Sequence, residues 1–274
     1  MQRDSIKNIL RVSLILCVVC SVVVSVAAVV LRPYQKENVE RERKKNILIA
    51  AGLFNPQTDS LDKIKTEFQK ITPILIDLDT GEPVDEQTLK KLGGEKFDQK
   101  KAVNDPELSD KIDSRLDVAG IKRREKYAWV YLVMQPDGKT ISQYVLPVRG
   151  KGLWSTLLGF MAIDTDCNTI NGLTFYSHAE TPGLGGEIDS DNFKKAWRGK
   201  KSFNETWEIQ IELPKQLSQN KELAIYQVQA IPGATITSRG VQKMLHFWLG
   251  DQGFGKYLEK QRPNPTTIKE GKDG

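Results

Sequence analysis

The sequence predicts an α+β domain carried behind a single N-terminal membrane-spanning helix. Residues 12–31 contain no charged side chain, and at 1.5 Å per residue such a helix spans about 30 Å, the thickness of a bilayer core. Beyond residue 126, short apolar runs alternate with turn signals, which predicts strands. Residues 241–250 carry the apolar stripe of an amphipathic helix. Strands with interspersed helices and a hairpin are typical of an α+β domain.

The chain divides by composition into five segments. The apolar run is longer than the core of a secretory signal, and Ala27-Ala28 is only a weak cleavage motif, so we expect an uncleaved anchor. The segments are a short N-terminal segment 1–11, a transmembrane helix 12–31, a charged helical and loop region 32–126 that packs on the domain, the α+β domain 127–262, and a polar tail 263–274.

Basic residues flank the apolar run on both sides. Three precede it and six follow it within residues 32–45. Counted alone, this excess would keep the C-terminal side in the cytoplasm.

The region before residue 127 is predicted to be mainly helical. A charged helix covers 36–51, a second helix begins after Ser60, and residues 74–78 form a strand. Residues 82–126 are charged with few apolar anchors, which indicates loops and short helices.

The later region is predicted to hold most of the strands. Four strands are expected at 127–134, 141–148, 153–163 and 169–176, with a hairpin turn at 136–138. A short helix begins at Asp189 or Ser190. Alternation at 207–213 and the run 224–231 indicate further strands, before the helix at 241–250.

Composition excludes several classes of function. The net charge of +5 is modest and spread along the chain, which does not indicate nucleic-acid binding. Cys17 and Cys20 lie in the apolar run, so Cys167 is alone in the domain and no internal disulfide forms. With only two histidines, we expect no metal site.

One stretch combines a turn, hydroxyls and a predicted helix start. In residues 231–240, Gly233 allows a tight turn, Thr235 offers a hydroxyl, and Thr237 and Ser238 are predicted helix N-caps. Amide groups at the helix start and Arg239 are suited to hold an anion such as phosphate. The alternative is a capped turn that joins a strand to a helix.

Two glycine-rich stretches are the other candidates for ligand binding. Residues 177–186 contain three glycines in four positions, which allows close approach to a flat ligand or makes a flexible loop. In residues 150–155, Trp154 either packs on a ligand or anchors the core. Residues 250–255 are explained as a helix stop.

Taken in chain order, as 150–155, 177–186, 231–240 and 250–255, these four stretches resemble successive motifs of the FMN-binding domains found in sodium-translocating NADH:quinone reductases and Rnf-type complexes. The resemblance implies that Thr235, the Thr after Gly-Ala, carries FMN through a phosphoester. The chain departs from the usual motif at Pro232, where the family has Ser or Thr, and at Gln229, where it often has an acid. The resemblance and the turn chemistry together give these flavin neighbours: Gly233, Ala234, Thr237, Arg239, Trp154, His178, Glu180, Thr181, Gly183, Leu184 and Gly185. Leu184 is expected to lie against the isoalloxazine, and His178 to be structural or a flavin neighbour.

The resemblance also implies a function. The length of segment 32–126 and the stretch 150–155 favour the C subunit of the reductase, an electron-transfer subunit that is not a complete enzyme alone. NADH is expected to bind elsewhere, since no GxGxxG follows a strand. The implied partners are other subunits of the complex, the membrane and a flavin transferase, with the domain on the periplasmic side of a bacterial inner membrane. The alternatives are an Rnf-type flavin subunit or a membrane-anchored binding module without a cofactor.

Overall fold

A computed structural model describes residues 6–263 of the chain. The predicted tail lies outside these residues apart from position 263, as do the first five residues of the N-terminal segment. The chain divides into two units between Arg43 and Lys44.

The first unit is helical. Helix α1 covers Ile6–Ala50 and contains the predicted span 12–31, whose apolar side chains are exposed along its length. It is long and apolar enough to cross a bilayer. Pro33 lies inside α1 without ending it, so the helix predicted separately at 36–51 is part of α1.

The second unit is built on a seven-stranded sheet whose strand pairs are all antiparallel. Its order is β2-β1-β5-β6-β7-β8-β9. The strands are β1 Ile71–Asp77, β2 Glu82–Pro83, β5 Tyr127–Met134, β6 Ile141–Lys151, β7 Thr156–Asp164, β8 Thr169–Ser177 and β9 Lys200–Lys201, while β3 Ser109–Lys111 and β4 Arg123–Glu125 form a separate pair. The helices are α2 Asp62–Phe68, α3 Glu86–Lys91, α4 Gln99–Ala102, α5 Asp191–Ala196, α6 Lys221–Ala224, α7 Thr235–Leu249 and α8 Gly255–Gln261.

Both faces of this sheet are covered, as strand β5 illustrates. Ala128 and Val130 belong to the core cluster that includes α7 and α8, whereas Trp129 and Tyr131 belong to the cluster that includes the end of α1. This alternation follows from the two-residue period of a strand. Strands with both faces buried read as continuous apolar runs, which is how 127–134 reads in the sequence.

Helix α7 contributes the largest share of one face. The predicted stripe of Val241, Met244, Leu245 and Trp248 is buried, and the Trp248 indole donates to the Arg149 carbonyl at 2.7 Å. Gly150 lies under this helix, since a Cβ there would come 2.6 Å from Met244 Cβ. The helix is therefore fixed on β6, and its first turn lies where β6 ends.

The region before residue 127 takes part in the same sheet. Strand β1 pairs along its whole length with β5. Glu125, which is 1% exposed, accepts a bond from Arg149 at 2.5 Å. Arg124 pairs with Asp79. Strand pairing, one buried ion pair and one partly exposed ion pair thus hold residues 71–126 against the rest of the second unit.

Two predicted strands are wrong. Residues 224–231 are irregular after α6, and 207–213 form only isolated bridges, including one between Phe203 and Ile209. Trp207 has φ 65°, which is incompatible with an extended strand. The strand predicted at 153–163 begins at Thr156, because 152–155 form the turn between β6 and β7. The short helix, predicted from Asp189 or Ser190, begins at Asp191, and Ser190 is its N-cap.

Candidate cofactor site

Three chain segments meet at one end of the sheet. Because neighbouring strands run antiparallel, the end of β6, the start of β7 and the end of β8 lie together. The segments are the β6–β7 turn at 152–155, the loop 178–190 after β8, and residues 231–237 at the start of α7. These are the three stretches that the sequence singled out for ligand binding.

The three segments enclose a shallow cleft of about 260 Å³. Ligand clefts commonly span roughly 300–1,000 Å³, so a ligand of nucleotide size would be only partly covered here. The lining residues are Leu153, Trp154, Glu180, Thr181, Leu184, Gly185, Gly233, Ala234, Thr235, Ile236 and Thr237.

The walls of the cleft are apolar side chains that remain exposed. Trp154 is 67% exposed, Ile236 57%, Leu184 46% and Leu153 43%. Such a cluster of large apolar side chains on a surface marks an interaction or ligand site. Trp154 therefore does not anchor the core, which excludes one of its two interpretations from the sequence.

Glu180 closes the base of the cleft. It is 5% exposed. Its Oε1 accepts from the amides of Trp154 at 3.0 Å and Ser155 at 3.3 Å, and its Oε2 accepts from the Leu153 amide at 3.2 Å and from Thr237 Oγ1 at 2.5 Å. Burial raises the pKa of this carboxyl, but the hydrogen bonds from Thr237 and the three amides outweigh it and leave the pKa below its ordinary value.

Two glycines leave room for this carboxylate. A Cβ on Gly152 would come 2.5 Å from Glu180 Oε1. A Cβ on Gly185 would come 2.6 Å from Thr237 Oγ1 and 2.9 Å from Glu180 Oε2. Gly185 thus packs against the protein itself, whereas Gly183 has φ 73° and no atom within 4 Å of its Cβ position. Gly183 and Gly185 are therefore glycines for different reasons: the backbone conformation at Gly183 and the close packing at Gly185.

The hydroxyls of the α7 segment differ in accessibility. Helix α7 begins at Thr235, and its N-cap position is Ala234, without a side-chain cap. The prediction that Thr237 and Ser238 cap this helix is therefore wrong: both lie in its first turn and are 1% exposed. Thr237 donates to Glu180, while Ser238 donates to the Ala234 carbonyl and accepts from the Ile231 amide. Thr235 is half-buried and lines the cleft.

The start of α7 also presents backbone donors. Within residues 6–263, the amides of Thr235, Ile236 and Thr237 have no hydrogen-bond acceptor, as is usual for the first turn of a helix. An anion at this position would be stabilised by these groups and by the helix dipole. Arg239 is exposed and does not line the cleft.

His178 lies outside the cleft and orders the loop. Its Nδ1 accepts from the Glu180 amide at 3.2 Å, so its Nε2 carries the hydrogen that is donated to Asp189 at 2.6 Å. The part of the chain that the structure describes contains no group of three His, Cys, Asp or Glu side chains suited to a metal.

Most predicted site residues come together here, and two lining residues were not predicted. Of the predicted set, only Arg239, His178 and Gly183 do not line the cleft. Leu153 and Ile236 were missed. Each is apolar, exposed and directly beside a predicted residue. Ile236 could have been predicted, because it is an apolar residue next to Thr235 in an otherwise polar first turn.

Comparison with known proteins identifies the class of domain that contains the cleft. A family model described as an FMN-binding domain matches residues 152–250, which contain all three segments of the cleft. The three segments thus lie within an FMN-binding domain.

Full-length relatives identify the family. The chain is 43% identical over 262 residues to the C subunit of the Na(+)-translocating NADH-quinone reductase of Pseudomonas aeruginosa, covering 95% of this chain and 97% of that protein. It is 40% identical over 259 residues to the corresponding protein of Yersinia pestis, covering 94% of each. A crystal structure of NqrC from Shewanella oneidensis superimposes with a TM-score of 0.70 at 34% identity, covering 80% of this chain and 96% of that one. The chain belongs to the family of Na(+)-translocating NADH-quinone reductase C subunits, which confirms the resemblance found in the sequence.

Proposed function

We infer that the chain is the FMN-carrying electron-transfer subunit of a sodium-translocating NADH:quinone reductase. Family membership over nearly the whole length supports this, and so does the FMN-binding domain at the cleft. The alternatives of an Rnf-type flavin subunit and of a cofactor-free binding module have no comparable support. The chain is one subunit of the enzyme, and NADH binds to another part of the complex.

The attachment of FMN to Thr235 through a phosphoester is our proposal for the cofactor. One observation carries it: of the three hydroxyl residues in the first turn of α7, only Thr235 lines the cleft without being buried. Thr237 and Ser238 are buried and hydrogen-bonded within the protein. A phosphoester on Thr235 keeps a negative charge, which the unpaired amides at the start of α7 would stabilise.

The cleft fits a flavin at both of its ends. A flat, largely apolar ring needs apolar walls, which Trp154, Leu153, Leu184 and Ile236 provide while still exposed to solvent. The phosphate needs donors and a hydroxyl, which the start of α7 provides. An open cleft also leaves one edge of the ring free for electron exchange with a neighbouring protein of the complex.

FMN and the protein have separate roles at this site. When bound, FMN supplies the one-electron chemistry between the donor and acceptor in the complex. The chain tethers the phosphate at Thr235, places Trp154 and Leu184 as walls, and fixes the spacing of these walls through the sheet. A covalent tether also explains how so shallow a cleft retains its cofactor.

Maturation requires an enzyme that reaches this turn, and we propose a flavin transferase. Pro232, Gly233 and Gln229 are exposed, so the motif is accessible on the folded surface. Pro232 and Gln229 are the departures from the family motif, and they are the positions where this transferase must tolerate variation.

We further propose that α1 anchors the protein in a bacterial inner membrane with the second unit in the periplasm. The length and exposed apolar surface of α1 support the anchor. The family resemblance supports the side, against the count of basic residues. A reporter that is active only in the periplasm, fused after the last residue, is therefore expected to be active. Activity of a reporter that works only in the cytoplasm, fused at the same place, would reverse this orientation.

In-gel fluorescence of denatured protein tests the attachment. The full chain is made with its flavin transferase, and wild type, Thr235→Ala and Thr237→Ala are compared. We expect a fluorescent band for wild type and Thr237→Ala and none for Thr235→Ala. A fluorescent Thr235→Ala band would overturn the proposal.

A further inference from the structure

Among residues 6–263, Glu180 is the one charged side chain that lines the cleft, and it is buried and contacts all three segments that form the cleft. It belongs to the loop after β8. It accepts hydrogen bonds from three amides of the β6–β7 turn and from the Thr237 hydroxyl of α7. The sequence assigned it to flavin binding. Both of its oxygens, however, are occupied by protein donors, so it is not free to bond a ligand.

We propose that Glu180 is a positioning residue that fixes Trp154 and the start of α7 at the spacing the flavin needs, and that its ionised carboxylate lowers the reduction potential of that flavin. The electrostatic half rests on the proposed function, because it requires a flavin in the cleft. The positional half concerns the protein alone.

The positional half follows from what the bonds connect. Trp154 is the most exposed large side chain of the cleft wall, and its backbone amide is held by Glu180 at 3.0 Å. The neighbouring amides of Leu153 and Ser155 are held by the same carboxylate. Three of the four donors on this carboxylate thus belong to a turn that lacks strand pairing of its own, and the fourth is Thr237 of α7. Charge-assisted hydrogen bonds of this kind are about twice as strong as neutral ones.

Packing around the carboxylate supports the same role. Gly152 and Gly185 lie against its two oxygens, where any Cβ would come within 3.0 Å. The carboxylate is therefore enclosed by backbone, and it cannot move without moving the turn and the loop. A side chain that only met solvent would not require glycine on both sides.

The electrostatic half follows from the donors. All four are neutral groups, and among residues 6–263 no Lys, Arg or His forms an ion pair with Glu180. The negative charge is stabilised but not cancelled, and it lies in a buried position where water screens it weakly. Adding an electron to a flavin in the cleft brings a second negative charge near the first, which disfavours reduction.

Three variants separate position from charge. Glu180→Gln is nearly isosteric and removes the charge. Thr237→Val removes one donor and keeps the charge. Glu187→Gln removes an exposed charge from the same loop, where solvent screens it, and serves as the control.

The first measurement is the midpoint potential of the flavin in the full chain in detergent. We expect Glu180→Gln to raise the equilibrium constant for one-electron reduction on the order of tenfold, which is about 59 mV. Thr237→Val and Glu187→Gln should not raise it. An unchanged or lower potential in Glu180→Gln, or an equal rise in Glu187→Gln, would overturn the electrostatic half.

The second measurement needs no flavin. Hydrogen–deuterium exchange of the peptide containing residues 153–155 is followed in the full-length Thr235→Ala chain, with and without Glu180→Gln. A Gln side chain has one acceptor oxygen instead of two, so these amides should exchange several-fold faster. Unchanged exchange would overturn the positional half, and this result is independent of where FMN is attached.

Discussion

A methyl group added at Gly185 is expected to separate Glu180 from Thr237. In Gly185→Ala the new Cβ would lie 2.6 Å from Thr237 Oγ1 and 2.9 Å from Glu180 Oε2. Thr237 and Glu180 are bonded to each other and buried, so neither yields freely. Overpacking of this kind costs about 1–3 kcal/mol, and at about 2–4 °C per kcal/mol for a unit of this size the unfolding temperature should fall by roughly 2–12 °C.

A double-mutant cycle shows whether this contact is the cause. Thr237→Ala removes Oγ1, the nearest atom, so Gly185→Ala should be less destabilising in that background than in wild type, by about 0.5 kcal/mol or more. Gly183→Ala is the matched control, because its φ of 73° strains any side chain while no atom lies within 4 Å. Its effect should be the same in both backgrounds. Thermal unfolding of the full chain, followed by circular dichroism, measures all of these. Strictly additive effects of Gly185→Ala and Thr237→Ala would refute this account of the packing.

Three further outcomes are expected from the same structure. The pKa of Glu180 is lowered in the folded state, so its ionised form stabilises the fold fully above the ordinary carboxyl range, and this stabilisation is lost as pH falls through the folded pKa. In Glu180→Gln, the free energy of unfolding should therefore fall less steeply with decreasing pH below about pH 4–5. An unchanged pH dependence in that range contradicts this. Glu125→Ala leaves Arg149 buried without its ion-pair partner and should lower the free energy of unfolding, measured by denaturant titration, by about 3–5 kcal/mol. Glu86→Ala, which breaks the exposed pair with Lys90, should change it by less than ~1 kcal/mol. Trp154→Ala should change the free energy of unfolding by only about 0.5 kcal/mol, since Trp154 is exposed, yet alter the absorption and fluorescence of the bound flavin; an unaltered spectrum would remove Trp154 from the site.

The strands of the second unit could be predicted where local pattern and tertiary pairing agree. Residues 127–134 and 169–176 are rich in apolar residues and bounded by turn residues, and each forms a strand with a neighbour on both sides in the sheet. The run 207–213 alternates apolar and polar residues, which also predicts a strand. There Trp207 adopts φ 65°, and the segment forms only isolated bridges. Alternation reports which side chains are buried, and it does not by itself provide a neighbouring strand.

The start of α7 shows why the site was only partly predictable. Thr237 and Ser238 have the composition of N-caps, but the helix begins two residues earlier at Thr235. The Thr237 hydroxyl bonds to Glu180, 57 residues away in the sequence. A hydroxyl at a helix start can serve a local cap or a distant acceptor, and only the fold brings that acceptor into place. The prediction for Thr235, in contrast, rests on the Gly-Ala-Thr motif, which is local in the sequence.

Mass spectrometry of the peptide containing Thr235 tests the central claim most directly. The full chain is purified after production with its native flavin transferase, digested, and fragmented so that the modified residue is located. The account predicts the mass of FMN, less water, on Thr235 and on neither Thr237 nor Ser238. A Thr235 of unmodified mass in flavin-containing protein, or FMN located on another residue, would contradict it.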